Sequence, residues 1–549
     1  MNKREVLEKA KQLASTALLL LLVFTVIVQQ AEIQSLSHKI SQASPVQAIQ
    51  TLPIEQLNLS KYRYHGNPFV TSLWPGQLQA ENITFWHLYQ WTPSGLVNKT
   101  DILTYPIQEA NYIIYVNGSL YYAKNGLTGQ IQFSGTDAGA VIQNAINNLP
   151  SGGLVLIKEG TYNIVTTIQL KSNITISGEG TGTVLLRSPT PSPSGPMKYA
   201  VFYTSNASNV VLQNLVVDGN KYNLPWINNR WDYEAIVFSN SQNIIIRNII
   251  VRNVKVACGI DIISTQYFTI TNSIIYNNGD PNNPDPLSDA IHTSRSEYGV
   301  VSNNIIYNVT DTGVACDNSQ FITVSGNVFY SCGAEAVAWY NVYDTPIPRG
   351  LVVTNNIMLN NGRGVWVSLA SGLNNAPEDV IIADNYMYTS YILIDKGYHV
   401  LITGNRIRFG NYGIVIHGGY NIMISGNQFT DTSYGVYNDV HVDELKIINN
   451  IFIAVGTPVQ IVYGIVRYNY GYTTENRGGV VFSGDGTTKQ FKIAHGLVAT
   501  PSRIFVTPGS SAAAGSFYVT ADSTYIYVNY VTAPPAGTNN IVLYWYAEV

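Results

Sequence analysis

ITNSIIYN (residues 270–277), VSNNIIYN (301–308), VSGNVFYS (324–331), VTNNIMLN (353–360), ITGNRIRF (402–409), ISGNQFTD (424–431) and IINNIFIA (447–454) are variants of one phrase. An asparagine anchors each, and the series extends to ten: Asn214, Asn248, Asn272, Asn304, Asn327, Asn356, Asn385, Asn405, Asn427 and Asn450. The closest of them stand 20 to 24 residues apart, and the wider gaps read as the same unit carrying inserted loops. A period of this size means stacked units, because one unit alone cannot bury its apolar face. Each unit holds two short β-rich runs and a third of the form Gly/Ala-apolar-x-apolar, which predicts three short strands per turn. An asparagine at the same bend of every turn can hydrogen-bond to the next and satisfy backbone groups there. The predicted fold is all-β, a right-handed parallel β-helix of about eleven coils.

Aligning the third run of each coil gives an inward column of Ile236, Ile260, Ile291, Val314, Val337, Val365, Ile414 and Val436. Strand alternation then turns the positions flanking it outward. Those positions carry Glu234, Asp261, Asp289, His292, Asp317, Glu335 and Arg363. Coils stack about 4.8 Å apart, so Asp261 and His292 become column neighbours, and Asp289 and Glu335 share a column two coils apart, roughly 9–10 Å. Paired carboxylates in this range serve glycosidic bond cleavage, with the retaining geometry closer and the inverting one wider. Insertions at 219–233, 278–288, 340–349 and 368–378 would wall a groove over these strands. They bring Trp226, Trp231, Tyr340 and Tyr343, while Trp366 lies on the strand itself. Aromatic rings flanking polar groups suit stacking on sugars. The catalytic candidates are therefore Asp261, Asp289, His292, Asp317, Glu335 and Arg363. The substrate-binding candidates are Glu234, Trp226, Trp231, Tyr340, Tyr343 and Trp366. His417 falls outside this groove and reads as structural.

Composition narrows the alternatives. Charged residues make up 12% of the 549, and 30 basic against 34 acidic side chains leave −4. Without a basic block, nucleic acid is not an expected partner. Cys258, Cys316 and Cys332 show no metal-ligand spacing and read as buried free thiols. No cofactor is expected. Ca²⁺ at Asp280, Asp285 and Asp289 is the one metal alternative, and the spacing is not that of an EF-hand loop.

The N-terminus carries Lys3, Arg4, Lys9 and Lys11 ahead of an uncharged run, residues 13–28. It reads as an uncleaved transmembrane anchor with its basic flank inside, which places the protein on a membrane, extracellular or at a virion surface. Ile33, Leu36 and Ile40 extend it as a short stalk. The expected division is anchor and stalk (1–44), a small β-rich domain or linker (45–128), the solenoid (129–470), a linker (471–479) and a C-terminal antiparallel sandwich (480–549).

One good helix is predicted, Thr136 to Leu149, capped by Thr136 or Asp137, with Val141, Ile142, Ala145, Ile146 and Leu149 on one face. It leads into LVLIKEGTYNI and ITISGEGTGTVLL. This order resembles the opening of the pectin-lyase-like right-handed β-helix superfamily over roughly residues 129–470. The resemblance implies that the helix plugs the solenoid's N-terminal end and that the outward face with its loops forms a polysaccharide cleft. SDAIHTSRS and DTGVACDNS only echo the polygalacturonase motifs. The terminal segment, through DGTTKQFKIAHGL and APPAGTNNIVLYWYAE, resembles modules of phage and archaeal-virus tail proteins, which serve assembly or attachment. Together these imply a membrane-anchored, spike-like protein that binds a polysaccharide or cell-surface glycan, with or without cleaving it. The alternative is a polysaccharide hydrolase or lyase. The same layout, with Tyr525, Tyr527, Tyr530, Tyr544, Trp545 and Tyr546 in the sandwich, predicts a homotrimer.

Overall fold

The computed structural model describes residues 110–190, 199–226, 230–282, 287–343 and 345–549, with short strands at 73–74, 77–78, 89–92 and 95–98. Two compact units divide the chain, Met1–Tyr105 and Pro106–Val549. In the first, Leu73–Trp74 pairs antiparallel with Gln77–Leu78, and Tyr89–Thr92 with Gly95–Asn98. The expected anchor and stalk, and the lipid contact they implied, lie outside the described residues. The membrane-anchored location is corrected: among the described residues no helix is long and apolar enough to cross a membrane.

The second unit is a parallel β-helix. Each coil contributes one strand to each of three sheets. Sheet I has eleven strands, running from Phe202–Ser205 to Thr457–Gln460. Sheet II has sixteen, from Ile131–Gly135 to Ile465–Arg467, and sheet III has twelve, from Gly160–Ile164 to Ile451–Ile453. Register in sheet I runs Phe202, Ile236, Ile260, Ile291, Val314, Val337, Val365, Ile392, Ile414, Val436 and Val459 in one line. All of them are buried. Burying each such side chain stabilises by roughly 1.5–3 kcal/mol, so the column closes the coils on one another.

The asparagine ladder is real but begins later than the spacing suggests. Asn304, Asn327, Asn356, Asn385, Asn405, Asn427, Asn450 and Asn469 are buried between sheets II and III. Each links to the next: the backbone N–H and Nδ2 of Asn304 both reach Asn327 Oδ1, at 2.9 and 3.0 Å, and the pattern repeats along the series. Asn214, Asn248 and Asn272 belong to another position. They hold the residue just before the ladder, with φ of 58, 53 and 51°. Leu215, Ile249 and Ser273 take the ladder place there.

The predicted helix is present as Ala138–Asn147, with Asp137 as its cap accepting from Gly139 N at 2.9 Å. The same carboxylate accepts from Val165 and Thr166 N–H, tying the helix to the first coils. Val141, Ile142, Ala145 and Ile146 enter the solenoid core. The strands Tyr112–Asn117, Leu120–Asn125 and Ile131–Gly135 belong to sheet II. Tyr112–Asn117 pairs parallel with the first coil and the other two continue it antiparallel, so residues 110–128 extend sheet II at its end rather than forming a separate domain or linker.

At the other end, Glu475–Gly484, Gly537–Glu548 and Arg503–Pro508 form one antiparallel sheet, and Gln490–Ala494, Tyr525–Tyr530 and Phe517–Ala521 another. They share a core that includes Phe491, Ile526, Val528, Leu543 and Trp545. The stretch expected as a linker already contains the first of these strands. Of the aromatics behind the expected trimer, Trp545 and Tyr530 are buried in this core, and Tyr544 is exposed.

Candidate functional site

On the outward face of sheet I, strands Ala257–Ile263 and Ser288–Ser294 set Asp261 opposite His292. His292 Nδ1 lies 2.8 Å from Asp261 Oδ1, and Nε2 lies 3.3 Å from Asp317 Oδ2. A ring with a carboxylate at each nitrogen is held as the doubly protonated imidazolium. Burial opposes that charge, but Asp261 and Asp317 outweigh it, and the pKa stands well above the usual histidine value. Cys258 sits against the same ring, its thiol pushed far up by burial and then by Asp261. Cys258, Asp261 and His292 bring their ligating atoms within 4.8 Å of one another, the only such group of three among the described residues. The direct Asp261–His292 hydrogen bond already uses two of those donors, so the group reads as a hydrogen-bonded cluster. All three cysteines are free and buried.

Asp289 occupies the adjacent column, in register with Cys258. Burial first, and the nearby Asp311 second, push its carboxyl up to about 8, against the pull of His292 and of the Thr312 N–H that it accepts at 3.0 Å. Asp317 adds to the same upward push. Asp289 is therefore a protonated acid at neutral pH, placed among carboxylates and an imidazolium.

Thr312 joins this cluster to the next coil. Its hydroxyl donates to Glu335 Oε2 at 2.9 Å, so Asp289, Thr312 and Glu335 form one column over three successive coils. Glu335 is fully buried and accepts from Arg363 Nε at 2.8 Å and from Arg363 Nη2. Its other oxygen takes the Tyr340 hydroxyl at 3.5 Å. The Arg363 guanidinium lies 4.1 Å over the Trp366 ring, and Tyr340 meets that ring edge-on at 4.8 Å. Trp366 Nε1 donates to Asp395 Oδ2 at 2.6 Å, Ser368 Oγ reaches the same oxygen at 3.2 Å, and His417 Nδ1 lies 3.1 Å from Asp395 Oδ1.

Asp261, Asp289, His292 and Asp317 thus gather in one cluster, and Glu335, Arg363, Tyr340 and Trp366 in a second, continuous with it through Thr312. The remaining substrate-binding candidates fall elsewhere. Glu234 is buried. Trp226 packs on Tyr233 with ring centroids 6.1 Å apart, in a small apolar cluster with Tyr199, Leu224 and Val256. Trp231 is exposed on the short 3₁₀ turn Arg230–Tyr233. Tyr343 sits 5.0 Å beneath the Arg295 guanidinium, at the corner between sheets I and II. For the Ca²⁺ alternative, Asp285 lies outside the described residues, and Asp280 pairs with Lys255 at 3.4 Å. Sequence reading missed Asp311, Thr312, Asp395 and the part His417 takes in holding Asp395. The first two sit on the turn entering a strand, and the last two just past strand ends, where alternation gives no signal.

Residues 200–386 match the family model described as the right-handed β-helix region. A search of curated proteins found no match. Among solved structures, the tailspike gp61 of Pseudomonas phage phi297 is similar with a TM-score of 0.53 at 12% identity, covering 75% of this chain and 92% of that one. A mannuronan C-5 epimerase A-module from Azotobacter vinelandii gives 0.51 at 17%, covering 61% and 95%. A tailspike of E. coli bacteriophage HK620 gives 0.51 at 14%, covering 75% and 90%. With the coil geometry, these likenesses identify the chain's fold as a right-handed parallel β-helix.

Proposed function

We propose that the outward face of sheet I, from the Ala257–Ile263 coil to the Arg363–Leu369 coil, binds a polysaccharide and hydrolyses its glycosidic bonds. The observation that carries this is Asp289, a carboxyl raised to about 8 among Asp311, Asp317 and His292. A carboxyl pushed up by burial and by a neighbouring carboxylate, with a second carboxyl group held against His292 on the same face, offers the acid–base pairing that glycoside cleavage needs. Asp289 donates its proton to the glycosidic oxygen as the bond to the anomeric carbon breaks. Asp317, oriented by the His292 imidazolium, takes the proton of the water that adds to that carbon. Asp261 holds the ring, and the Arg363–Trp366–Tyr340 group offers a cation and aromatic faces to a neighbouring sugar.

Incubating the full chain with plant, algal and bacterial polysaccharides tests this. New reducing ends without the ultraviolet absorbance of an unsaturated uronate, lost about 10²–10⁴-fold in Asp289→Asn, are expected. Full activity in Asp289→Asn, or no cleavage of any polymer, would refute it. Retention of a polymer without cleavage would favour the second reading, a non-catalytic glycan-binding attachment protein. The closure of His292 and Glu335 into ion pairs favours that reading, since both are engaged before any ligand arrives. Self-association into a homotrimer fits the exposed Phe505, Tyr518 and Tyr544 of the sandwich. Light scattering on the full chain, with and without residues 480–549, tests it, and a monomer in both would contradict it.

A further inference from the structure

The corner between sheets I and II carries a groove of about 380 Å³ that the cleavage face does not use. Asn206, Asn240 and Arg295 line one side, and Gln242, Gln266 and Glu297 the other, over four successive coils. The lining is amide and hydroxyl apart from Arg295 and Glu297. Gln266 Nε2 donates to Glu297 Oε2 at 3.2 Å, and Arg295 is braced on the Tyr343 ring. Side-chain amides both donate and accept, which matches the paired donor and acceptor character of a sugar hydroxyl.

The residue after Gln242, Gln266 or Glu297 takes a left-handed backbone, and so does its equivalent in the coils from Asn173 to Glu444. Asn209 and Asn243 fill that position in the earlier coils, with their amides hydrogen-bonded at 3.0 Å, and Asn421 fills it later. Next in sequence to the lining residues Gln266 and Glu297, and one coil further on, it is taken instead by Tyr267, Tyr298 and Phe321, at φ of 55, 57 and 54°. Asparagine tolerates this conformation, whereas a bulky ring is an outlier there. The rings stack with centroids 5.1 and 5.2 Å apart and planes within 10°, and all three are exposed. In other coils the same corner is held by Asn209, Asn243, Gly350, Asp379, His399, Asn421 and Glu444, so an aromatic ring is not demanded by the coil. Strained positions of this kind gather at ligand clamps.

We propose that this groove and its aromatic stack form a second saccharide-binding site, distinct from the Asp289 cluster. It takes a hydroxyl-rich oligosaccharide, held by the amides and packed against Tyr267 and Tyr298. It would keep the protein on a polymer whether or not the sheet I face cleaves it.

The test is affinity electrophoresis of the full chain through gels containing each polysaccharide of the panel, with reducing-end release from short oligosaccharides measured separately. Tyr267→Asn/Tyr298→Asn should weaken retention about tenfold, the order of the stacking contribution of such rings. Turnover of short oligosaccharides should be unchanged. The thermal midpoint should hold or rise, because asparagine suits the backbone. Gln242→Ala/Gln266→Ala should weaken retention in the same gels. Unchanged retention in both variants, or no retention of wild type by any polymer, would overturn the proposal. So would light scattering in which the tyrosine variant loses self-association while retention persists, which would assign the stack to contact between copies. Loss of cleavage in Asp289→Asn with retention intact would leave the groove standing apart from the cleavage reading.

Discussion

Truncating Asn356 to alanine isolates what the internal ladder contributes. Asn356 Oδ1 accepts from the Asn327 N–H at 2.9 Å and from Asn327 Nδ2 at 3.0 Å. Its Nδ2 donates to Val324 O at 2.9 Å and to Asn385 Oδ1 at 3.0 Å. The site is 1% exposed, so no water replaces these partners. Stranding the Asn327 N–H costs about 1–3 kcal/mol, and loss of the other bonds adds about 0.5–1.5 kcal/mol each. Asn327 Nδ2 keeps Val301 O, and Asn385 Oδ1 keeps the Asn356 N–H, which lowers the total. The expected cost is about 3–5 kcal/mol. Asn272 is the control. It is exposed and left-handed at φ 51°, so Asn272→Ala should lose only the backbone preference, about 1 kcal/mol. Urea unfolding followed by far-ultraviolet circular dichroism compares the two. Amide exchange at residue 327 should accelerate only in Asn356→Ala. Equal midpoints for the two variants would refute the assignment of asparagines to two classes.

Glu335→Gln should destabilise the fold by about 1–3 kcal/mol in thermal melts, since it weakens the pairing of a buried carboxylate with Arg363. A change within error would mean that the pair is solvated. Asp289 is protonated in the folded state above the pH where the unfolded chain loses that proton. Its contribution to stability therefore falls as pH rises from the ordinary aspartate range through about 8. Asp289→Asn should flatten that part of the stability–pH curve, and a wild-type slope in the variant would exclude the shift. His292 has the same sign of linkage in a higher pH window. Its pKa is raised, so its stabilisation is full below the unfolded histidine value and is lost as pH rises through the higher folded value. His292→Gln should remove that alkaline loss. Trp366→Ala should weaken polymer retention while lowering folding stability by no more than about 1–2 kcal/mol, because Trp366 is only half-buried.

The solenoid was legible because two periods coincide: alternation within a strand and recurrence between coils. Ile236, Ile260, Ile291, Val314, Val337 and Val365 follow from both. Ile392 escaped because Tyr391, not glycine or alanine, precedes it, and its strand is only Ile392–Ile394. Asn214, Asn248 and Asn272 misled because asparagine serves two adjacent roles at one bend, a left-handed residue and a buried amide. Spacing alone does not separate positions one residue apart. At the site, alternation placed Asp261 beside His292 and Asp289 above Glu335. It did not show Thr312 linking those columns, nor Asp311 raising Asp289, because both act from a turn. Trp226 read as a groove wall because an inserted loop rich in aromatics can either fold over a neighbour or build its own small core, and here Tyr199, Leu224, Tyr233 and Val256 supply that core.

The most direct test of the central claim is a structure of the Asp289→Asn chain with an oligosaccharide from whichever polymer the wild type cleaves or retains. A sugar should lie on sheet I, with a glycosidic oxygen within about 3.2 Å of the residue 289 side chain and a ring against Trp366. A sugar found only at the Gln242–Gln266 corner, or nowhere on the outward face of sheet I, would contradict it.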